Sequence, residues 1–275
     1  MKLAIVILNY NTFDLTLKFI SNLRCVGEKR DFDLIVVDNN SNNESKDVLE
    51  KESFKQNFTL ILNDTNSGYA VGNNIGIKQA IKNGADYILV ANNDIELNSF
   101  SVIDNMIALM KENERIGVVS PRIVGIDNKK DPPIYFKRPS LWDLSFGIIS
   151  FNKKRFKFDD NSVAKVYAPR GSFMLLRATS IQKVGYLDEN TFLYYEEPIL
   201  AERINAIGLE CWHYGAEYVV HNHGKTIKST YKRKNICAVL LKSQKYYLKH
   251  YRHMNALSIW LCTLFRKMVF YRKRK

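Results

Sequence analysis

The sequence predicts an α/β protein: a mostly parallel central sheet flanked by helices, followed by a C-terminal amphipathic helical tail. Two observations carry this. Over the first 120 residues short β-branched runs alternate with helical stretches, which is the pattern of βαβ units. The runs are apolar at consecutive positions, as strands are when helices cover both faces of a sheet. In order they are LAIVIL (3–8), DLIVVD (33–38), FTLIL (58–62), DYILVA (86–91) and IGVVS (116–120). Helices are expected at 12–26, 44–54, 69–83 and 99–113, the third stopped at Gly84, since glycine commonly ends helices. From about 127 to 162, Pro132-Pro133, aromatics and cations break every period. So long an irregular stretch in a compact domain is usually functional or mobile. Order resumes with VAKVYA (163–168), a turn at Arg170-Gly171-Ser172, FMLLR (173–177), helices near 179–185 and 198–207, and strands near 209–213 and 217–221. The remaining residues read as two helices.

With 46% hydrophobic and 25% charged residues among 275, the chain is neither disordered nor collagen-like. Its formal charge of +13 suggests a nucleic-acid binder until the charge is located. Fifteen of the 41 Lys and Arg fall in 225–275, where there is no Asp or Glu; the other 26 face 28 acids over 1–224. The body is near neutral and the tail alone is basic. Cys25, Cys211, Cys237 and Cys262 form no CxxC pair, which excludes a zinc ribbon and a disulfide framework and favours a reducing compartment. The apolar run 3–8 is too short for a signal-peptide core. No stretch reaches the ~20 apolar residues of a spanning helix.

Ligands of open parallel sheets bind at the carboxyl ends of strands. Here those ends are polar: Asn9-Tyr10-Asn11, Asp38-Asn39-Asn40-Ser41, Asn66-Ser67-Gly68-Tyr69 and Asn92-Asn93-Asp94. Each alone is ordinary turn chemistry; four on one sheet edge suggest a binding site. Neither GxGxxG nor GxxxxGK[ST] is present, so no glycine cradle for phosphate exists. Phosphate charge would instead be met by a divalent cation on oxygen and imidazole ligands. Asp94 with His221 and His223 could supply them, although a histidine at a strand end is as readily structural.

Taken in order, VILNYN (6–11), VVDNNS (36–41), N-x-G-Y-A-x-G-N-N (66–74), ANND (91–94), RGSFMLLR (170–177) and FLYYEE (192–197) followed by Arg203 resemble the inverting glycosyltransferases of family 2, of the GT-A, Rossmann-like fold. The resemblance covers roughly residues 3–224 and is strongest to the bacterial branch of rhamnosyltransferases and other polysaccharide-assembly enzymes. It implies a glycosyltransferase domain over 1–224, with a nucleotide-sugar half to about 125 and an acceptor half from about 126. Asp38 matches the acid that contacts the nucleotide base or ribose, with Asn9, Asn11, Gly68 and Asn73 lining that pocket. Asn93 and Asp94 match the end of the DXD-type motif, whose last acid binds Mg2+ or Mn2+ on the donor diphosphate; here one carboxylate remains. His221, in VVHNHGKT, matches the metal-binding histidine, with His223 as the alternative register. Arg170 and Gly171 match a turn near the diphosphate and acceptor.

In the same way Glu196-Glu197 aligns with the Glu-Asp motif whose second member is the general base, so Glu197 takes that role. Pro198 after it is favoured in a first helical turn, which would put Glu197 at an N-cap beside the positive helix end. The plainer reading is that Glu197 is only a cap and Glu196 a solvated charge. The resemblance implies a nucleotide-sugar donor, expected to be UDP- or dTDP-linked, and a saccharide acceptor in cell-surface polysaccharide synthesis; the tail suggests that this acceptor is lipid-linked, at the inner face of the cell membrane.

The tail fits that location. Leu257, Trp260, Leu261, Leu264, Phe265, Met268 and Val269 form one helical stripe, expected to lie in a membrane interface, to cover the protein's own core, or to join two subunits as a homodimer. Two rivals are weaker. A nucleotidyltransferase wants a Gly-rich basic loop after the first strand, which NYNTFDLTLK lacks. An RNA binder would use Tyr246, Tyr247 and Tyr251 between the tail cations, but an apolar stripe suits a membrane better, and no nucleic-acid partner is expected.

Overall fold

The computed structural model describes residues 1–128, 130–131, 133–146, 159–222 and 233–272. The first half follows the expected alternation: β1 (Leu3–Asn9), α1 (Phe13–Val26), β2 (Asp33–Asp38), α2 (Ser45–Gln56), β3 (Thr59–Leu62), α3 (Tyr69–Lys82), β4 (Tyr87–Asn92), the short β5 (Ile95–Glu96), α4 (Ser101–Glu112) and β6 (Ile116–Gly125). There follow β7 (Lys130–Asp131), α5 (Leu141–Phe146), β8 (Val163–Val166), β9 (Phe173–Arg177), α6 (Ala178–Lys183), α7 (Glu196–Ala206), β10 (Glu210–His221), α8 (Arg233–His250) and α9 (Ala256–Arg272). One sheet runs in the order β3-β2-β1-β4-β9-β6-β10-β5. β1, β2, β3 and β4 pair in parallel, as do β6 and β10, while β9 runs antiparallel to β4 and β6 between them.

Side chains of a strand point alternately to its two faces, and here both faces are buried. Ala4, Val6, Ile35, Val37, Ile88 and Val90 join the core cluster under α3; Ile5, Ile7, Leu34, Val36, Leu89 and Ala91 join the one under α1 and α4. Consecutive apolar residues are therefore required, not merely tolerated. Two expectations need correction. The strands expected at 209–213 and 217–221 are one strand, because the chain bulges between Tyr214 and Tyr218 instead of turning. The irregular stretch of 127–162 contains α5, which a capping pair starts: Ser140 N donates to Asp143 Oδ2 (2.8 Å) and Asp143 N to Ser140 Oγ (3.2 Å). Residues 147–158 lie outside the described ones, so the rest of that expectation does too.

The boundary placed at residue 224 also falls outside the described residues, but beyond it the chain re-enters the core. Tyr247 and Leu248 of α8 are fully buried. Tyr247 Oη donates to Glu202 (2.9 Å), Ser243 Oγ to the Leu193 carbonyl (2.8 Å) and Gln244 Nε2 to the Leu144 carbonyl (2.7 Å). Arg203 pairs with Asp188 (3.1 Å) and donates from Nε to Tyr251 Oη (2.8 Å), while Tyr246 Oη donates to Asp188 (3.0 Å). The three tyrosines that an RNA-binding tail would stack on bases are thus tied into the protein itself.

α9 turns Cys262 and Thr263 inward and packs Ile259 and Phe270 against the core. The stripe read from the sequence lies on the opposite side: Leu257 is 68% exposed, Trp260 and Met268 58% each. Among the described residues it does not cover the protein's own core. Phe265 meets Phe146 of α5 (5.4 Å between centroids), which meets Trp142 (4.5 Å), itself 62% exposed, so α5 extends the same apolar surface. Among the described residues no helix is long and apolar enough to cross a membrane.

Because α8 fills the core, Leu248→Ala should cost about 2–5 kcal/mol, read from the urea midpoint. A loss under about 0.5 kcal/mol, the level of an ordinary surface change, would mean that α8 is not docked.

Candidate active site

The carboxyl ends of β1 and β4 open into a cavity of about 640 Å³, shared with α3, α7 and the end of β10. Asp94 and His221 form one side. Asp94 follows β4; His221 closes β10, where β5 pairs with it (His221 opposite Ile95) and Asn222 N donates to the Asp94 carbonyl (2.9 Å). His221 Nε2 sits 3.0 Å from Asp94 Oδ1, and both side chains are buried. Among the described residues no group of three or more His, Cys, Asp or Glu could hold a metal. An imidazole and a carboxylate side by side still fit a partial Mg2+ or Mn2+ site, the remaining positions falling to water and ligand oxygens. His223 lies outside the described residues.

The carboxylates Glu196 and Glu197 form the other side. Tyr194 and Tyr195 both adopt φ of 73°, a left-handed conformation that costs non-glycine residues about 1–3 kcal/mol each and that turns the chain sharply into α7. Tyr195 is the N-cap, so the helix starts two residues earlier than expected and Glu197 lies in its first turn, not at the cap. The helix end still presents its positive pole to both acids. Gly171 N donates to Glu197 Oε1 (3.2 Å), and a Cβ at Gly171 would stand 2.9 Å from Glu197 Cγ; only glycine lets the carboxylate seat there. Tyr69 Oη holds the same turn by donating to the Gly171 carbonyl (2.8 Å). Burial, then Glu197 and Glu196, keeps the Tyr69 phenol protonated. Glu196 is 7% exposed, and among the described residues its Oε1 has no hydrogen-bond partner. Burial first, and the neighbouring Glu197 second, pushes its pKa up to about 8. Burial therefore favours its protonated form, and it is not a solvated charge.

Of the residues singled out in the sequence, Gly68, Asn93, Asp94, Arg170, Gly171, Glu196, Glu197 and His221 line this cavity. Asn9, Asn11 and Asp38 stand behind it. Asn9 Nδ2 donates to Asp38 Oδ2 (2.7 Å), Ser41 N and Oγ donate to Asp38 (2.9 and 2.7 Å), and Asn11 N donates to Ser41 Oγ (2.8 Å). Asn73 is buried in α3 with its Nδ2 on the Tyr69 carbonyl (2.9 Å) and does not reach the cavity. Gly68 has φ of 100°, and a Cβ there would be 2.2 Å from the Phe192 carbonyl oxygen, so this tight approach of loop to loop requires glycine. Motif reading missed Phe192, Tyr194, Tyr195, Leu240 and Arg266 as lining residues. The last two come from the tail, and nothing local in the sequence signals their return.

This order of strands, with a cavity over the ends of β1 and β4, is that of the GT-A class of α/β domains. Residues 4–184 match Glycosyl transferase family 2, and the chain belongs to that family. It is similar to the low-salt glycan biosynthesis hexosyltransferase Agl10 of Haloferax volcanii, 26% identical over 198 residues, which are 71% of this chain and 59% of that relative. The chain therefore matches less than two thirds of Agl10. Solved structures share the fold. S. aureus TarS in complex with UDP-GlcNAc is 16% identical, with a TM-score of 0.57 over 100% of this chain and 74% of that one. The mannosyltransferase PcManGT from Pyrobaculum calidifontis, in complex with GDP-Man and Mn2+, is 12% identical, with a TM-score of 0.61 over 99% and 68%.

The raised pKa of Glu196 has a sign that can be measured. Between about pH 4.5 and about 8 the folded protein keeps a proton that the unfolded chain has released, so this group makes stability fall as pH rises. Glu196→Gln removes that fall. The variant should gain on the wild type in urea unfolding as pH goes from 5 to 8; a constant difference would mean that Glu196 is ionised in the fold.

Proposed function

We propose that the protein transfers a sugar from a nucleoside-diphosphate sugar, UDP- or dTDP-linked, to a hydroxyl of a saccharide acceptor, with inversion at the anomeric carbon. The acceptor is lipid-linked and the product belongs to a cell-surface polysaccharide. What supports this most is that a histidine-aspartate pair and a positioned glutamate open into one cavity at the strand ends. The carriers named for the relatives, UDP-GlcNAc for TarS and GDP-Man for PcManGT, agree with a nucleotide-sugar donor.

In this reading the acceptor oxygen attacks C1 from the face opposite the diphosphate. The C1–O bond breaks, its electron pair leaves with the nucleoside diphosphate, and the hydroxyl proton passes to Glu197. The Gly171 amide aims that carboxylate, and burial, by favouring the protonated form of Glu196, works against a second negative charge competing for the proton. Asp38, held by Asn9 and Ser41, stiffens the loop that meets the nucleoside, while Asn93 and Arg170 face the donor. A divalent cation, Mn2+ or Mg2+, would be held by Asp94 and His221 and would offset the charge of the leaving diphosphate.

Glu197→Gln should bind donor as the wild type does and lose about 10²- to 10⁴-fold in transfer rate, with Glu196→Gln keeping activity. Thermal shifts with UDP, dTDP and GDP, with and without Mn2+, identify the base; a ligand at ~100 times its dissociation constant stabilises by about 2.7 kcal/mol. Asp94→Asn and His221→Ala should abolish the Mn2+-dependent part of the shift, and His223→Ala should do less. Normal turnover by Glu197→Gln, or undiminished Mn2+ dependence in both metal-site variants, would overturn the assignment.

The stripe on α9, with Trp142 beside it, is assigned to an anionic membrane surface. Its flanking cations complement anionic lipid, each contributing about 1 kcal/mol near the surface. The full chain should co-sediment with vesicles containing phosphatidylglycerol and far less with phosphatidylcholine alone, and Leu257→Glu with Trp260→Glu should release it. A chain that stays in the supernatant, or whose stripe is consumed by a homodimer in solution, would contradict this.

A further inference from the structure

The tail does more than offer a surface, because its inner side reaches the cavity. Arg266 of α9 and Leu240 of α8 both line it. Arg266 stands on the side of α9 that carries Cys262, away from Leu257, Trp260 and Met268. Its Nε is buried and, among the described residues, meets no hydrogen-bond acceptor. Tyr135, Tyr195 and Cys262, the groups whose titration its charge affects, lie with Leu240 in one hydrophobic cluster.

A guanidinium is charged at every accessible pH, and a buried donor without an acceptor is costly. The cavity's acids do not meet the need. Asp94 is bonded to His221, Glu197 accepts from the Gly171 amide, and burial shifts Glu196 towards its protonated form. An arginine so placed calls for an anionic oxygen from a ligand, and phosphate, like carboxylate, matches the fork of its donors.

We propose that Arg266 binds the phosphate joining the acceptor saccharide to its lipid, forming an anion subsite separate from the donor diphosphate. This rests on the functional reading above and deepens it. The donor diphosphate belongs with Asp94 and His221 at the polar strand ends. Arg266 lies instead by Tyr135, Tyr195 and Cys262, on a helix whose other side is the exposed apolar stripe. One helix would thereby face the lipid layer on one side and hold the headgroup phosphate of a lipid-linked substrate on the other.

Calorimetry on the full chain tests this with decyl phosphate, inorganic phosphate, uncharged decyl maltoside and UDP with Mn2+. Wild type should bind decyl phosphate whether or not UDP and Mn2+ are present, and more tightly than inorganic phosphate. Arg266→Gln should weaken decyl phosphate by about tenfold or more and leave decyl maltoside and UDP unchanged. Arg266→Lys, which keeps the charge, should retain most of the affinity, and thermal unfolding of both variants reports on the fold. The proposal is overturned if wild type does not bind decyl phosphate, if Arg266→Gln binds it normally, if UDP loses affinity in parallel, or if inorganic phosphate binds equally well. Failure of the wild type to bind UDP, dTDP or GDP with Mn2+ would count against the functional reading itself, and is seen in a separate arm.

Discussion

The contact between Asp94 and His221 is the constraint on which the site depends. Two ionisable side chains buried 3.0 Å apart are tolerable because each answers the other; remove one and the survivor is stranded in a low-dielectric wall. The contact also has a topological job. Asp94 leaves the parallel half of the sheet at the end of β4, whereas His221 ends β10, which lies beyond β9 and β6. The two-residue β5 pairs with β10 and not with its sequence neighbour β4, so the aspartate is delivered to the histidine by backbone pairing. Disturbing this pair would be felt at the junction of the two halves as well as in the cavity.

A second chain of contacts crosses the cavity from the other direction. Gly68 closes against Phe192, Tyr69 holds the Gly171 carbonyl, and the Gly171 amide holds Glu197. Loops after β3, before β9 and before α7 thus fix one carboxylate. The consecutive left-handed tyrosines ahead of α7 are the local cost of that placement, and strain of this kind is commonly concentrated at functional sites. The same segment is bound to the tail, since the Leu193 carbonyl accepts from Ser243 and Glu202 accepts from Tyr247. The basic tail therefore braces the helix that carries the carboxylates.

Much of this was legible in the sequence for identifiable reasons. Strands with Val, Ile and Leu on both faces are buried on both faces, as the strands of a helix-covered sheet are, and Asn, Asp and Gly at their ends marked the cavity edge from Gly68 to Asp94. Position within the edge was less legible. Asn9 and Asp38 hydrogen-bond to each other behind the wall, and Asn73 points along its own helix, outcomes that depend on side-chain direction and not on spacing. α5 was missed although Ser140 and Asp143 carry its capping signal, because six residues are too few to show a period. The α9 stripe was read correctly as one face of a helix, but periodicity does not say whether that face meets the protein. Here the body takes the opposite side, and Arg266 is brought to the cavity by packing between segments far apart in the chain.

Anomalous diffraction at the manganese edge, from crystals grown with UDP and Mn2+, would test the site most directly. The expected result is a peak within bonding distance of both the Asp94 carboxylate and the His221 imidazole, with UDP in the cavity over the ends of β1 and β4. An occupied manganese peak held by other residues, with Asp94 and His221 still hydrogen-bonded to each other, would contradict it.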